Sequence, residues 1–89
     1  MYRMDNLEKF TALAKVAPTP MGAFQAFDAT ALAAGAIPKK YKELIALGIA
    51  LTTQCPYCLE LHRAAAEQHG ASALELAEVV FVAAALRAG

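Results

Sequence analysis

Apolar positions recur at helical spacing through most of the 89-residue chain, and four prolines and five glycines divide them into segments. Leu7, Phe10, Leu13, Ala14 and Ala17 mark a short first helix, with a cap at Met4-Asp5-Asn6 and an end at Pro18. Pro20 suits the first turn of a second helix, in which Met21, Phe24, Phe27 and Ala31 line one face for core packing and Gly35 is the natural C′ residue. Ile37-Pro38 introduces a third helix, from Lys39 to about Leu51. There Tyr41, Leu44, Ile45, Leu47, Ile49 and Leu51 leave almost no polar face beyond the first turn, so burial on most sides is expected. Thr52-Thr53-Gln54 contains no Pro or Gly. The break expected there rests on the β-branched pair and on Cys55-Pro56, because a residue before proline avoids the α region. A fourth helix runs from Pro56 to about His69 and stops at Gly70. Ser72 and Glu75 have the spacing of a capping box for a fifth, which carries Leu74, Leu76, Ala77 and the run from Val79 to Leu86. Val79, Val80 and Val82 around Phe81 also suit a strand, but the preceding cap and the Ala-rich continuation favour helix. The expected fold class is all-α, a single domain over residues 1–89 without repeat or linker.

Composition changes this picture in one respect. Hydrophobic residues make up 58% of the chain and charged residues 18%, which is more apolar surface than so short a monomer can hide, since it buries only about 60 to 65% of its unfolded surface. A homo-oligomer whose interfaces complete the core is therefore expected, and Ala88-Gly89 directly after an apolar helix suggests that another subunit covers that end. Eight Lys plus Arg balance eight Asp plus Glu, and the aromatic residues are not interleaved with basic ones, which argues against a nucleic-acid partner. No secretory leader pattern opens the chain and no apolar stretch approaches about 18 residues, so no membrane association and a cytoplasmic location are expected. In that compartment a Cys-x-x-Cys pair is redox-active or metal-binding more often than a permanent staple.

That pair is Cys55-Pro-Tyr-Cys58, followed by Leu-Glu-Leu-His62, and Glu43 stands alone in an apolar run twelve positions before Cys55. Pro56 at the first helical position puts Cys55 at the N-cap, and Cys55, Cys58 and His62 then share one face. A cysteine that reacts near neutrality needs its thiol pKa of about 8.5 lowered by a helix N-terminus, a cation or a base. Cys55 has the helix dipole, and Cys58 has His62 one turn on. If the chain turns back near residues 52–54, Glu43 and His62 lie roughly 15 and 12 Å from the bend, and an antiparallel helix pair brings them alongside. A carboxylate in such apolar surroundings costs several kcal/mol unless paired or protonated, and a histidine across the pair satisfies it. The alternatives are that Glu43 pairs with Lys39 or Lys40 at the start of its own helix, and that His62 lies on a solvated face beside Glu60 and Arg63. Zinc is a further alternative, with Cys55, Cys58 and His62 as three ligands and Glu43 as a fourth, although structural zinc usually draws on two separated pairs and no second pair exists here. His69, near the end of its helix, complements the dipole and is assigned no chemistry.

With Glu43, Cys55-x-x-Cys58 and His62 at these spacings, the chain resembles the carboxymuconolactone decarboxylase superfamily and, within it, the alkylhydroperoxidase AhpD-like branch. The resemblance runs from about Pro20 to Gly89. It is most specific in Ala36-Ile-Pro-Lys-Lys-Tyr-Lys-Glu-Leu-Ile-Ala-Leu-Gly-Ile-Ala, in Thr53-Gln-Cys-Pro-Tyr-Cys-Leu-Glu-Leu-His and in Gln68-His-Gly-Ala-Ser. It implies an all-helical domain that forms trimers or hexamers and acts, without a bound cofactor or metal, as a thiol-dependent peroxidase or disulfide reductase. Its partners would be a peroxide substrate and a dithiol reductant such as a lipoyl group. By this resemblance Cys58 attacks the peroxide, Cys55 resolves the sulfenic acid as a disulfide, and Glu43 and His62 form the proton relay; the dipole alone would have favoured Cys55 as nucleophile. Better-studied peroxidases of the branch carry a histidine where this chain has Tyr57, which removes one member of the relay. Larger members contain an additional first helical half, and many continue into a further helix after the position of Gly89, so the resemblance implies a minimal single-domain form. The decarboxylases that name the superfamily act without a cysteine pair, which sets that lyase reaction behind the redox one. A non-enzymatic redox sensor or structural helical oligomer is the other alternative.

Overall fold

The computed structural model describes Asp5 and residues 8–88, and these form five helices: α1 (Glu8–Val16), α2 (Pro18–Leu32), α3 (Lys39–Thr53), α4 (Pro56–Gln68) and α5 (Ala73–Ala88). No strand occurs among the described residues, so the chain is all-α and the Val79–Val82 run is helical. The described residues fall into two compact units that divide between Ala33 and Ala34.

The first unit holds α1 and α2. Of the cap expected at Met4-Asp5-Asn6, only Asp5 is among the described residues, and Leu7 also lies outside them. Pro18 does more than end α1. It opens α2 at the first helical position, and Pro20 follows within the first turn, where neither proline removes an intrahelical bond. The expected core face of α2 is not realised, because Phe24 and Phe27 are exposed and neither helix contains a buried residue. The end of α2 is also corrected. Ala33 is already extended, at φ −66° and ψ 148°, so the helix stops before Gly35, whose N–H donates to the Ile37 carbonyl instead of closing α2.

The second unit holds α3, α4 and α5. Glu43 reaches across to His62, and because the two residues flank the Gln54-Cys55 connection at similar distances, α3 and α4 are antiparallel. Two ties offset by the same 35 residues, Lys40 to Glu75 and Arg87 to the Thr52 carbonyl, show that α5 runs parallel to α3 and is fastened at both ends. Between these ties α3 and α5 approach closely, and a Cβ added at Gly48 would sit 3.5 Å from Cγ1 of Val79, an ordinary contact.

The core lies on one stripe of α3, where Glu43, Leu44, Leu47 and Ala50 are buried, joined by Ala66 of α4 and Ala83 of α5. Positions i, i+1, i+4 and i+7 make a single helical face. Burying Leu44 and Leu47 contributes about 1.5–3 kcal/mol each. Burial on most sides of α3 was the expectation, and the structure corrects it: Tyr41, Ile45 and Ile49 are about half exposed. α5 is likewise open on its outer side at Leu74, Phe81, Val82 and Leu86. Two neighbouring helices can cover only one stripe of a third.

Candidate active site

The two cysteines owe their placement to how α3 ends. Gln54 takes the left-handed conformation at φ 59° and ψ 40°, and the N–H groups of Gln54 and Cys55 both donate to the Ala50 carbonyl, a Schellman-type closure. The hydroxyls of Thr52 and Thr53 donate to the carbonyls of Ile49 and Ala50, and Arg87 donates to that of Thr52, so these carbonyls near the end of α3 are satisfied. Cys55 is extended, as a residue before proline should be, and it occupies the N-cap of α4. Its Sγ accepts the N–H of Cys58 at 3.3 Å, which is the bond a serine or aspartate cap would make. At the other end, α4 closes through Gly70 at φ 96°, with the N–H of Ala71 donating to the Ala66 carbonyl and that of Gly70 to Glu67.

Within this frame both cysteines are thiols of intermediate exposure, with their sulfurs 2.6 Å apart. The Cys55 thiol is held below its ordinary pKa, first by its hydrogen bond with the Cys58 thiol, and then by the backbone N–H groups of Cys58 and Tyr57. Tyr57 therefore contributes its backbone to the site, at the position where the resemblance would have placed a histidine.

Nineteen residues before His62, Glu43 is 3% exposed and uses both of its oxygens. Oε2 lies 2.6 Å from Nδ1 of His62, and Oε1 lies 2.7 Å from Nζ of Lys39. The two partners that the sequence offered as alternatives are thus held together. Burial works to raise the Glu43 pKa, but the hydrogen bonds from Lys39 and His62 outweigh it and keep the carboxyl below its ordinary value. Lys40, the other candidate partner, goes to Glu75 and also stands 4.9 Å from the Tyr41 ring centre. The solvated cluster beside His62 is complete without it, because Arg63 pairs with Glu60 and Glu67. His69 directs Nδ1 at the Ala65 carbonyl in its own helix.

The structure therefore brings Glu43 and His62 into contact, brings Cys55 and Cys58 into contact, and places His62 one turn after Cys58 on the same face of α4. No group of three or more His, Cys, Asp or Glu among the described residues is arranged to hold a metal ion. Gln54 and Arg87 shape the site and were not picked out from sequence. A left-handed glutamine has no distinctive sequence signal, and Arg87 reaches the turn from 35 residues away.

Residues 18–89, which include the whole of this site, match the profile of the carboxymuconolactone decarboxylase family. Over 67 residues, 75% of the chain, it is 43% identical to an uncharacterized protein of the cox locus in Paracoccus denitrificans, and over 74 residues it is 36% identical to an uncharacterized protein of Cupriavidus necator. These matches span 60% and 66% of the lengths of the two relatives. Among solved structures, the apo form of a carboxymuconolactone decarboxylase family protein from Legionella pneumophila superposes with a TM-score of 0.87 at 32% identity, covering 92% of this chain and 73% of that one. No described helix is long and apolar enough to cross a membrane. Fold, site spacing and sequence agree, and the chain belongs to the carboxymuconolactone decarboxylase family.

Proposed function

We propose that this protein is a thiol-dependent oxidoreductase of the alkylhydroperoxidase AhpD-like kind, which reduces a peroxide or a disulfide at the expense of a dithiol. The observation that carries the reading is the combination of two touching thiols at the N-terminus of α4 with the His62 imidazole one turn along that helix, itself paired to the buried Glu43 carboxylate of α3. A permanent structural role would need no base, and a solvated ion pair would not hold a carboxylate 3% exposed.

In the peroxide reaction His62 takes the proton of Cys58, and the thiolate attacks one peroxide oxygen. The O–O bond breaks, the leaving alkoxide recovers the proton from His62 as an alcohol, and Cys58 becomes a sulfenic acid. Cys55, already biased toward thiolate, attacks the Cys58 sulfur; water leaves and a disulfide forms. An external dithiol, such as a dihydrolipoyl group, restores both thiols by two exchanges and is itself oxidised to a disulfide. Glu43 holds the imidazole in one orientation throughout. The lowered Cys55 pKa supports a second reading, in which Cys55 is the peroxide-attacking thiol and Cys58 resolves. Trapping sulfenic acid with a dimedone-type reagent separates the two. Under the first reading, peroxide leaves a persistent, trappable sulfenate on Cys58 in Cys55→Ser and none on Cys55 in Cys58→Ser. A sulfenate on Cys55 in Cys58→Ser reverses the roles.

Assembly belongs to the same proposal. The outer sides of α3 and α5 expose Tyr41, Ile45, Ile49, Phe81, Val82 and Leu86, and a closed trimer, or a hexamer built from such units, would cover them with further copies of this chain.

A further inference from the structure

Glu43 has two oxygens and two partners, and the second partner has no part in the relay as derived from His62 and the thiols. Lys39 approaches from one turn earlier on α3, with a side chain 30% exposed, and takes Oε1 of a carboxylate whose side chain is 4% exposed. A carboxylate bound on one side only can rotate and can take up a proton, and burial favours both by withholding water from the anion. With Oε1 held, the remaining oxygen faces Nδ1 of His62 at 2.6 Å. An anionic oxygen can only accept there, so Nδ1 carries the hydrogen and Nε2 is left as the basic nitrogen.

We propose that Lys39 is a positioning residue of the site: it keeps Glu43 anionic and turned toward His62, and so fixes the imidazole as the Nδ1–H tautomer that leaves Nε2 to receive a proton. The other charges on the packed helices do not substitute for it. On α3, Lys40 is engaged by Glu75 of α5, while Lys42 extends its Nζ toward Gly35. On α4, Cys55, Tyr57 and Cys58 share the site with His62, and Arg63 is taken by Glu60 and Glu67. On α5, Glu78 borders the groove toward α3, and Arg87 caps Thr52. Lys39 is the cation within hydrogen-bond distance of Glu43.

The inference rests on the proposed relay, but its test need not. Nuclear magnetic resonance of carboxyl carbons and imidazole nitrogens, with His69→Gln to assign the only other histidine, reads the Glu43 titration and the His62 tautomer without substrate. In Lys39→Met, and again in Lys39→Gln, the Glu43 midpoint should rise by about one unit or more and the Nδ1–H signature of His62 should weaken. Lys39→Arg should retain both. Peroxide turnover in the two neutral variants should fall about tenfold, less than the roughly 10² to 10⁴ that outright loss of a positioned acid–base group costs. If the Glu43 midpoint and the tautomer stay put in the neutral variants, the role assigned to Lys39 is wrong. If both change while peroxide turnover is untouched, Lys39 acts on the pair as proposed and the relay itself is overturned.

Discussion

The two sides of α3 are built from similar residues and end in different states. Its inner side carries Leu44, Leu47 and Ala50 into contact with α4 and α5 and takes one carboxylate, Glu43, in with them. Its outer side carries Tyr41, Ile45 and Ile49 and leaves them about half exposed above a groove of about 530 Å³ shared with Val79, Val82 and Leu86 of α5. Hydrophobicity along the helix does not distinguish the two. What distinguishes them is that the inner stripe includes a group whose burial is tolerable only with partners on both oxygens, and those partners come from α3 itself and from α4. One polar residue fixes which face of an almost uniformly apolar helix turns inward, since only one rotation satisfies it.

Substitutions on the two sides should therefore fail differently. The largest effect is expected on the inner side: Glu43→Gln should slow peroxide reduction by roughly 10² to 10⁴ while circular dichroism still reports the helices. Full activity in that variant would reduce Glu43 to an anchor of its helix. On the outer side, Val82→Glu would bury a charge without a partner at the proposed subunit contact, costing several kcal/mol. Light scattering should then show dissociated or insoluble protein. An unmodified chain that runs at 9.4 kDa with a cooperative melt would show that the outer side needs no cover.

Acid tests the inner side through Glu43. The folded state holds Glu43 below its ordinary 4.5, so it binds that proton less readily than the unfolded chain does. The stability this contributes is present above about pH 4.5 and is lost as pH falls through the folded midpoint. Melts between pH 6 and pH 3 should show a decline below that point, and the decline should be shallower in Glu43→Gln. The smallest effect belongs to the α3–α5 seam, where Gly48→Ala has room beside Val79 and should stabilise by up to about 1 kcal/mol through helix propensity.

Much of the site was legible in sequence because its rules are local. Pro56 after Cys55 starts a helix and caps it with sulfur, Gly70 ends it with a positive φ, and Ser72 and Glu75 exchange their two bonds as a capping box should. Glu43 and His62 could be matched by counting residues from the bend. What the sequence hid was non-local or degenerate. Nothing marks Gln54 as left-handed, since glutamine is not among the residues enriched there. Gly35 looked like a helix end, but Ala33 had already turned to extended backbone. Lys39 and His62 read as rival partners of Glu43 because a sequence gives no view of its two oxygens. The phenylalanines of α2 have helical spacing, but spacing cannot say what they meet.

Peroxide consumption with dihydrolipoamide as reductant, run beside Cys55→Ser and Cys58→Ser, is the most direct test of the central claim that the inner side of α3 completes a redox-active thiol site. The account predicts many turnovers per chain in the unmodified protein, a disulfide between Cys55 and Cys58 when the reductant is omitted, and no sustained turnover in either variant. A chain that consumes no more than one equivalent of peroxide whatever the dithiol supplied, or that keeps both thiols after oxidation, would contradict it.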